Sequence, residues 1–218
     1  MKILAAFALP EEVVKISLSG CDVQTVITGI TKPYAAANLA HAIVTHRPDA
    51  VLNIGTSGTQ RFSVGDILVC NRFIDRDIAR QGFDSASPVI DFSSTTHVAL
   101  AGTSEPSHKE PVESRVEGDE APKYFPLTVP SFVGGIFQDK TFTVNTGDDF
   151  VTEADKIDGD VIDMEAFADA LVCRKFGVPF LSIKYITDVV GQNSMQVWED
   201  RLESARKGLA AYFEKIDL

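Results

Sequence analysis

Several features that mark other classes of protein are scarce or missing in this sequence. The three cysteines, Cys21, Cys70 and Cys173, lie far apart and form no C-x-x-C pair. We therefore expect buried free thiols in a reducing compartment. The four histidines have no metal-ligand spacing to these cysteines, which argues against a zinc site. The apolar amino terminus is too short for a signal peptide, and no apolar run is long enough to span a bilayer.

Positive charge is also in short supply. The net charge is −11, and no cluster of Lys and Arg is long enough to follow a phosphate backbone, so we expect no nucleic-acid partner. An acidic chain gains nothing from an anionic membrane surface either. We predict a cytoplasmic protein without a membrane partner. Because 218 residues with 44% hydrophobic content can bury a sizeable core, we expect one domain, or at most two small ones.

Apolar strands alternate with amphipathic helices over most of the chain, which predicts an α/β fold. The predicted strands are Lys2–Leu9, Val23–Thr28, Ala50–Ile54, a turn and strand over Val64–Cys70, Gly134–Ile136, Thr141–Asn145 and Phe180–Ile186. The predicted helices are Tyr34–Thr45, Ala166–Phe176, Trp198–Ile216 and one opening at Pro10–Val14. The stretch from Asp91 to about Pro130 has no clear pattern. We interpret Asn71–Gly82, with its alternating charges, as a surface loop with local ion pairs. We interpret Glu153–Asp160 as a solvated acidic surface segment, because its acids match no calcium-loop spacing.

The stretch Val161–Ala166 is the centre of our functional interpretation. It begins with apolar residues suited to a buried strand and then places Asp163 and Glu165 where that strand meets the start of a helix. Ligands commonly bind beyond the carboxyl ends of strands in α/β sheets. An ionised Glu there can accept hydrogen bonds from two neighbouring ribose hydroxyls. The alternative is that both acids only cap the helix, whose amino terminus favours negative charge.

A second candidate is the loop of small residues that we predict at Gly55–Thr59, directly after a strand. Glycines and hydroxyls let backbone N–H groups approach a bound oxygen or phosphate. The loop is not a P-loop, because no Gly-Lys-Ser/Thr follows, and it lacks the spacing of a nucleophile elbow. A plain tight turn is the alternative.

Polar or aromatic residues stand at the ends of successive predicted strands. They are Glu12, Thr56, Phe150, Glu165 and Asp188. One such residue would mean little, but five at successive strand ends predict one shared site in an α/β sheet.

Short motifs in a fixed order carry a family resemblance over nearly the whole chain. They are Met1–Ile3 with Glu11–Val13, Asn53–Gly58, Val64–Ile67, Arg72–Ile78 with Gly82–Phe83, Gly147–Val151, Asp163–Ala166 and Ile186–Val189. The ordered set resembles the purine nucleoside phosphorylase/uridine phosphorylase superfamily and, within it, the 5′-methylthioadenosine/S-adenosylhomocysteine nucleosidase family. The resemblance implies a single nucleoside phosphorylase-like domain over residues 1–218, with a three-layer α/β/α architecture around a central mixed sheet.

The resemblance also implies a reaction, the breaking of the bond between a purine and its ribose by water. Glu12 would position and deprotonate the water, and Asp188 would bind the purine edge and protonate N7 as the base leaves. The sugar becomes positive in an oxocarbenium-like state while the purine must leave neutral. An acid at N7 and an anion under the ribose therefore both stabilise the transition state more than the substrate.

The same resemblance implies the residues that bind the substrate. Glu165 would hold the ribose hydroxyls, with Met164 packed against the sugar. Phe150 would stack on the purine, and the backbone of Val151 would contact its Watson–Crick edge. Thr56 would line the side from which the nucleophile attacks. No metal or organic cofactor is implied, and the resemblance suggests a homodimer.

Two alternatives to hydrolysis stay open at this stage. A purine nucleoside phosphorylase would use phosphate, but a carboxylate at Glu12 would repel that anion. The loops at Leu9–Glu12 and Gly55–Gly58 also lack the arginines that we associate with phosphate in this superfamily, although Arg61, Arg72 and Arg76 lie outside them. The second alternative is a nucleoside-binding protein without activity, since fold does not fix function.

The chain departs from the family pattern at several positions. It has Thr56 for Ser, Asp163 for Glu, Thr31 for a second Gly, Lys184 for Arg, and Leu9-Pro10 for Met-Glu. The segment from about Phe92 to Phe132 is shorter and more polar than the family's helix in that place. That region of the family helps to form the pocket for the 5′ substituent, partly across a dimer interface. The sequence therefore does not specify which 5′ substituent the substrate carries.

Overall fold

The computed structural model describes residues 1–82, 88–92, 142–149, 151, 157–190 and 194–216 of the chain. The strands are β1 (Lys2–Phe7), β2 (Asp22–Ile27), β3 (Ala50–Thr59), β4 (Ile67–Asp75), β5 (Val89–Asp91), β6 (Phe142–Thr146), β7 (Val161–Asp163) and β8 (Phe180–Val189). The helices are α1 (Lys32–His46), α2 (Arg76–Gln81), α3 (Ala166–Phe176) and α4 (Ser194–Ile216). The predicted strand at Gly134–Ile136, Phe150 and nearly all of the unpatterned stretch after Asp91 lie outside the described residues.

The strands form one mixed sheet in the order β2-β1-β3-β7-β6-β4-β5, with β8 between β3 and β4. β1 pairs in parallel with both β2 and β3, and β3 pairs in parallel with β8. β4 runs antiparallel to β8 and parallel to β6, and β7 joins β6 to the end of β3. The strands β3, β7, β6, β4 and β8 therefore close into a ring, and one end of β3 reaches both β7 and β8.

Helices cover both faces of this sheet, as the alternation of side chains in β1 shows. Leu4 and Ala6 of β1 pack in one apolar cluster with residues of α1 and α3, such as Leu39 and Ala170. The intervening side chains of β1 pack in a second cluster with the apolar face of α4. The predicted three-layer α/β/α architecture is confirmed. Successive side chains of a strand point to opposite faces of the sheet, so a strand that is apolar at every position needs a helix layer on each face.

The predicted loop at Gly55–Thr59 is wrong, because β3 continues through it. The parallel partner β8 pairs with β3 from Val51 to Thr59, with one irregularity between Ser57 and Gly58. A neighbouring strand on this side satisfies the backbone of these small residues, which alone would favour a turn. The Gly residues are thus strand positions at which another group comes close.

The predicted surface loop at Asn71–Gly82 is also wrong. β4 extends to Asp75, whose side chain caps α2 by accepting hydrogen bonds from the backbone N–H groups of Asp77 (3.0 Å) and Ile78 (3.2 Å). Arg76 is only 3% exposed. Mixed charges alone suggested solvent contact, but here the partners of the charged groups come from distant parts of the chain.

Two smaller predictions also need adjustment. The helix expected to open at Pro10 is a single 3₁₀ turn, Pro10–Glu12, so Glu12 lies almost directly beyond β1. Cys70 and Cys173 are buried free thiols as expected, whereas Cys21 is partly exposed. Burial raises the pKa of both buried thiols, which keeps them protonated. Within the described ranges, no helix is both long and apolar enough to cross a membrane.

Candidate active site

A cavity of about 260 Å³ opens beyond β1 and β7 and along the second halves of β3 and β8. It brings together six of the seven site residues expected from the sequence. They are Glu12, Thr56, Val151, Met164, Glu165 and Asp188. Phe150 lies outside the described residues. The shared site predicted from successive strand ends is therefore present, although β3 and β8 contribute from within the strands.

Glu12 is held in one orientation by β3. It is 5% exposed, and its Oε1 accepts hydrogen bonds from the backbone N–H of Thr56 (3.0 Å) and from the Thr56 hydroxyl (2.7 Å). Its Oε2 is buried and has no hydrogen-bond partner among the described residues. A Cβ atom at Gly55 would lie 3.2 Å from Oε1, so glycine makes room for this carboxylate. This unpartnered oxygen belongs to a residue that lines the cavity.

Asp188 lies on β8 in a comparable setting. It is 4% exposed, and its Oδ1 accepts a hydrogen bond of 2.8 Å from the hydroxyl of Thr187. A Cβ atom at Gly58 would lie 3.0 Å from Oδ2, closer than ordinary contact allows. The two glycines of β3 thus stand beside the two carboxylates, one beside each.

Asp163 and Glu165, two residues apart, have different partners. Asp163 accepts hydrogen bonds from the backbone N–H of Ala166 (3.0 Å) and from the hydroxyl of Thr146 (2.6 Å), so it caps α3. Glu165 occupies the N-cap position but makes no side-chain cap. Its Oε1 instead accepts a hydrogen bond of 3.0 Å from the backbone N–H of Thr31. The helix-capping alternative therefore holds for Asp163 and fails for Glu165.

Lys184 is a site residue whose structural partner sequence reasoning did not identify. Its Nζ lies 2.8 Å from Asp163 Oδ2, and both side chains are 2% exposed. Burial alone would lower the pKa of Lys184, but the Asp163 carboxylate, which also accepts a hydrogen bond from the ammonium, outweighs it and raises the pKa. The signal in the sequence was a lone lysine inside an otherwise apolar strand.

The protonation of Glu165 follows from this neighbourhood. Burial and, after it, the Asp163 carboxylate raise the pKa of Glu165 to about 8, although the Lys184 ammonium and the Thr31 N–H oppose the increase. Because Lys184 is already paired with Asp163, a pKa near 8 means that Glu165 is mostly protonated at neutral pH.

Thr31 has an unusual backbone. Its φ is 77° and its ψ is 154°, a region that is almost confined to glycine. The residue immediately precedes α1, and its N–H donates to Glu165. The family pattern has a glycine at this position, and a glycine would adopt this backbone conformation without strain. Threonine at the same position makes the backbone strained in this chain.

Two further side chains support the cavity from outside the predicted set. Arg76 donates to Asn145 Oδ1 (3.1 Å) and to the backbone oxygen of Asp149 (2.9 Å), which fixes the segment that leads to Val151. The indole N–H of Trp198 donates to the Thr56 hydroxyl at 2.8 Å. Trp198 was assigned only to the apolar face of the last helix, and no pattern in the sequence revealed its polar contact.

Acidic side chains dominate the charged lining of the cavity. Five of its described lining residues are acidic and one, Lys184, is basic. Among the described residues, no group of three or more His, Cys, Asp or Glu side chains could hold a metal ion. The cavity therefore suits a neutral or cationic molecule better than an anion.

Comparisons with known proteins agree with this geometry. The family described as the Phosphorylase superfamily matches residues 10–216. The chain is 25% identical over 207 residues to 5′-methylthioadenosine/S-adenosylhomocysteine nucleosidase of Marinomonas sp. (strain MWYL1), covering 90% of this chain and 81% of that protein. The crystal structure of the Helicobacter pylori nucleosidase of the same name has a TM-score of 0.70, with 17% identity over 99% of this chain and 97% of that one. The futalosine hydrolase of Helicobacter pylori has a TM-score of 0.69, with 17% identity over 99% and 96% of the two chains.

Proposed function

This chain belongs to the Phosphorylase superfamily, and from that membership we propose that it hydrolyses the N-glycosidic bond of a purine nucleoside and releases adenine. The proposed substrate is 5′-methylthioadenosine or S-adenosylhomocysteine. Relatives that match this chain over most of their own length are named as nucleosidases of these two compounds. One observation carries the proposal. Glu12 has one oxygen fixed by two hydrogen bonds and the other buried without a partner among the described residues.

In the proposed reaction, Glu12 Oε2 takes a proton from a water molecule as its oxygen attacks C1′ of the ribose. The bond between C1′ and N9 breaks, and its electron pair moves into the purine ring. Asp188 donates a proton to N7, so the base leaves neutral. Groups that are positioned for acid and base transfer typically contribute about 10²–10⁴-fold each. The two carboxylates are separate, and each is buried beside its own glycine of β3.

Glu165 has the proposed role of binding the two ribose hydroxyls. An ionised carboxylate accepts two hydrogen bonds and also stabilises positive charge on the sugar. Because burial raises the pKa of Glu165 to about 8, the substrate must displace a proton when it binds at neutral pH. Met164 lies beside Glu165 in the cavity lining and would contact the sugar.

The charge of the site favours water over phosphate as the nucleophile. Phosphate would enter a cavity lined by five acidic side chains and one lysine that is already paired. Arg61 pairs with Asp160 at the surface, and Arg76 is engaged by Asn145 and Asp149. Neither arginine lines the described part of the cavity, which supports hydrolysis over phosphorolysis.

The test is adenine or hypoxanthine release from a panel of nucleosides, each with and without phosphate. The panel contains methylthioadenosine, S-adenosylhomocysteine, adenosine, inosine and futalosine. We expect release without phosphate, fastest with methylthioadenosine or S-adenosylhomocysteine. Release that requires phosphate would make this protein a phosphorylase. Thermal stabilisation by the same nucleosides without any release would identify a binding protein.

A homodimer in the cytoplasm is the proposed setting. Helices α1 and α3 pack side by side and expose apolar side chains, among them Tyr34 (67% exposed), Val44 (60%) and Phe176 (48%). Exposed apolar side chains on two adjacent helices support contact with a second copy. The free thiols are consistent with a reducing compartment. Light scattering on the purified protein tests the dimer, and a mass of 23.7 kDa would reject it.

A further inference from the structure

The first half of α4 lies beside both carboxylates to which the proposed reaction assigns proton transfer. α4 packs against β8, β3 and the 3₁₀ turn that carries Glu12. Trp198 and Arg201 are three residues apart, so they share one side of the helix. Each donates a hydrogen bond to a residue that in turn contacts one of the two carboxylates.

We propose that α4 positions both groups of the site: Trp198 orients Glu12 through Thr56, and Arg201 orients Asp188 through Thr187. Both would be positioning residues that act through a neighbour. The inference rests on the proposed function, because it assigns Glu12 and Asp188 separate roles in one reaction.

The first connection depends on the single proton of the Thr56 hydroxyl. The indole N–H of Trp198 can only donate, and it lies 2.8 Å from Thr56 Oγ1. Because the oxygen accepts from the indole, its own proton is directed to Glu12 Oε1, 2.7 Å away. The Thr56 N–H donates to the same oxygen. Glu12 Oε1 is then occupied by two donors, and Oε2 is left for the water.

The second connection fixes a peptide plane. Arg201 Nη1 donates to the backbone oxygen of Thr187 at 2.5 Å, and this carbonyl belongs to the peptide bond that leads into Asp188. The hydroxyl of Thr187 donates to Asp188 Oδ1 at 2.8 Å and also contacts the backbone oxygen of Ser57 at 3.3 Å. Because the guanidinium is planar and rigid, this one hydrogen bond restrains the backbone of β8 directly before Asp188, the proposed proton donor.

The two connections serve different steps, which a change of leaving group separates. Water must be activated for any substrate. A 4-nitrophenyl group leaves as a stable anion and needs no proton from Asp188. The experiment therefore compares methylthioadenosine with the 4-nitrophenyl glycoside of 5-methylthioribose for Trp198→Phe and Arg201→Met. Arg206→Met is the matched control, because Arg206 lies on the exposed side of α4 and pairs only with Glu203 among the described ion pairs.

We expect Trp198→Phe to lower kcat about three- to tenfold on both substrates, the range for one lost hydrogen bond, with KM changed less than about twofold. Arg201→Met should lower kcat by a similar factor on methylthioadenosine and less than about twofold on the nitrophenyl substrate. Arg206→Met should match wild type on both. If Trp198→Phe raises KM and leaves kcat unchanged, Trp198 is a substrate contact and the inference fails. Equal losses on both substrates for Arg201→Met would reject its link to Asp188.

Thr56→Val tests the first connection directly. In that background Trp198→Phe should change kcat less than about twofold, whereas a repeated three- to tenfold loss would mean that Trp198 acts without Thr56. Trp198 is the one tryptophan of the chain, so its indole N–H gives a single nuclear magnetic resonance signal. That proton signal should move upfield in Thr56→Val, and an unchanged position would overturn the connection even if Trp198→Phe fails to fold. If the wild-type protein releases no base, the proposed function fails, and the indole signal still decides the contact.

Discussion

Asp188 lines the cavity, and each of its two carboxylate oxygens has a described neighbour. The Thr187 hydroxyl donates to Oδ1, and Gly58 leaves room beside Oδ2. Replacing Asp188 with Asn keeps the shape and an oxygen that can accept, but removes the acidic proton. We expect Asp188→Asn to retain nucleoside binding in part and to lower kcat about 10²-fold or more. Initial rates of adenine release and the affinity for adenine measure the two effects.

Asp200→Asn is the control for that substitution. Asp200 is exposed on α4 and accepts only from Gln196 among the described hydrogen bonds. It should turn over like wild type. A wild-type rate in Asp188→Asn as well would remove Asp188 from the mechanism.

Thr31 concentrates backbone strain at one residue. At φ 77° and ψ 154° a β-branched side chain costs about 1–3 kcal/mol, whereas glycine adopts this region freely. Glycine would remove this strain, but part of the gain in stability is offset because glycine makes the unfolded chain more flexible. We expect Thr31→Gly to raise the free energy of unfolding by about 1 kcal/mol and Tm by about 2–4 °C. Thermal unfolding of the unliganded protein is the measurement.

Thr45→Gly, in the last turn of α1, is the matched control for Thr31→Gly. Thr45 has ordinary helical backbone and donates to the oxygen of His41 at 2.8 Å. Glycine there should lower the free energy of unfolding by about 0.3–0.5 kcal/mol, the difference in helix propensity between threonine and glycine. If Thr31→Gly lowers stability as well, the strain at Thr31 is offset by contacts of its side chain.

At the scale of elements, β3 joins the two halves of the site. Gly55 and Gly58 face the carboxylates of Glu12 and Asp188 from one strand. A Cβ atom at position 58 would force Asp188 Oδ2 away from a 3.0 Å approach. A displacement of about 1 Å at a reacting group can cost about 10²-fold in rate. We therefore expect Gly58→Ala to lower kcat at least about tenfold while Tm changes only slightly.

Ala50→Gly, at the other end of β3, makes the converse change. Ala50 is buried and distant from the cavity lining. Glycine should weaken the strand by about 0.5–1 kcal/mol and leave kcat unchanged. Enzyme assays and thermal unfolding on both variants separate strand stability from carboxylate position. Equal kcat in Gly58→Ala and wild type would show that Asp188 can move without loss.

The fate of the elements shows what local sequence can and cannot predict. Periodicity located the apolar strands and the long helices, because burial on one or two faces leaves a repeat in the sequence. It misassigned Gly55–Thr59 and Asn71–Gly82. Both stretches owe their structure to partners far along the chain, β8 in the first case and Asn145 with Asp149 in the second. Local propensity contains no information about such partners.

At the scale of the whole molecule, the same distinction applies to the site. The positions of Glu12, Glu165 and Asp188 could be expected from strand ends and from the family resemblance. The pairing of Lys184 with Asp163 could not, because it depends on how β8 and β7 meet across the closed ring of strands. The contact of Trp198 with Thr56 joins residues 142 positions apart. Such contacts decide the charge and orientation of the predicted groups.

The protein as a whole should bind its ligand with a release of protons. Glu165 has an ordinary pKa of 4.5, which the folded, unliganded chain raises to about 8. The folded state thus keeps a proton that the unfolded chain gives up. Glu165 therefore does not reduce the free energy of unfolding below pH 4.5, where it is protonated in both states. The free energy of unfolding falls as pH rises from 4.5 toward 8. A nucleoside that binds the ionised carboxylate reverses this, so its affinity should rise with pH up to about 8.

Formycin A, a nucleoside whose base is joined by a carbon–carbon bond and cannot be hydrolysed, allows the release to be measured. At pH 7 we expect most of one proton to leave Glu165 per ligand bound, since its pKa is raised to about 8 and the group is mostly protonated there. Calorimetric titration in two buffers of different ionisation enthalpy gives this number. Glu165→Gln should bind more weakly and lose the release. An equal binding enthalpy in both buffers for the wild-type protein would mean that Glu165 keeps its proton, and ribose recognition would then use a protonated acid that donates one hydrogen bond and accepts the other.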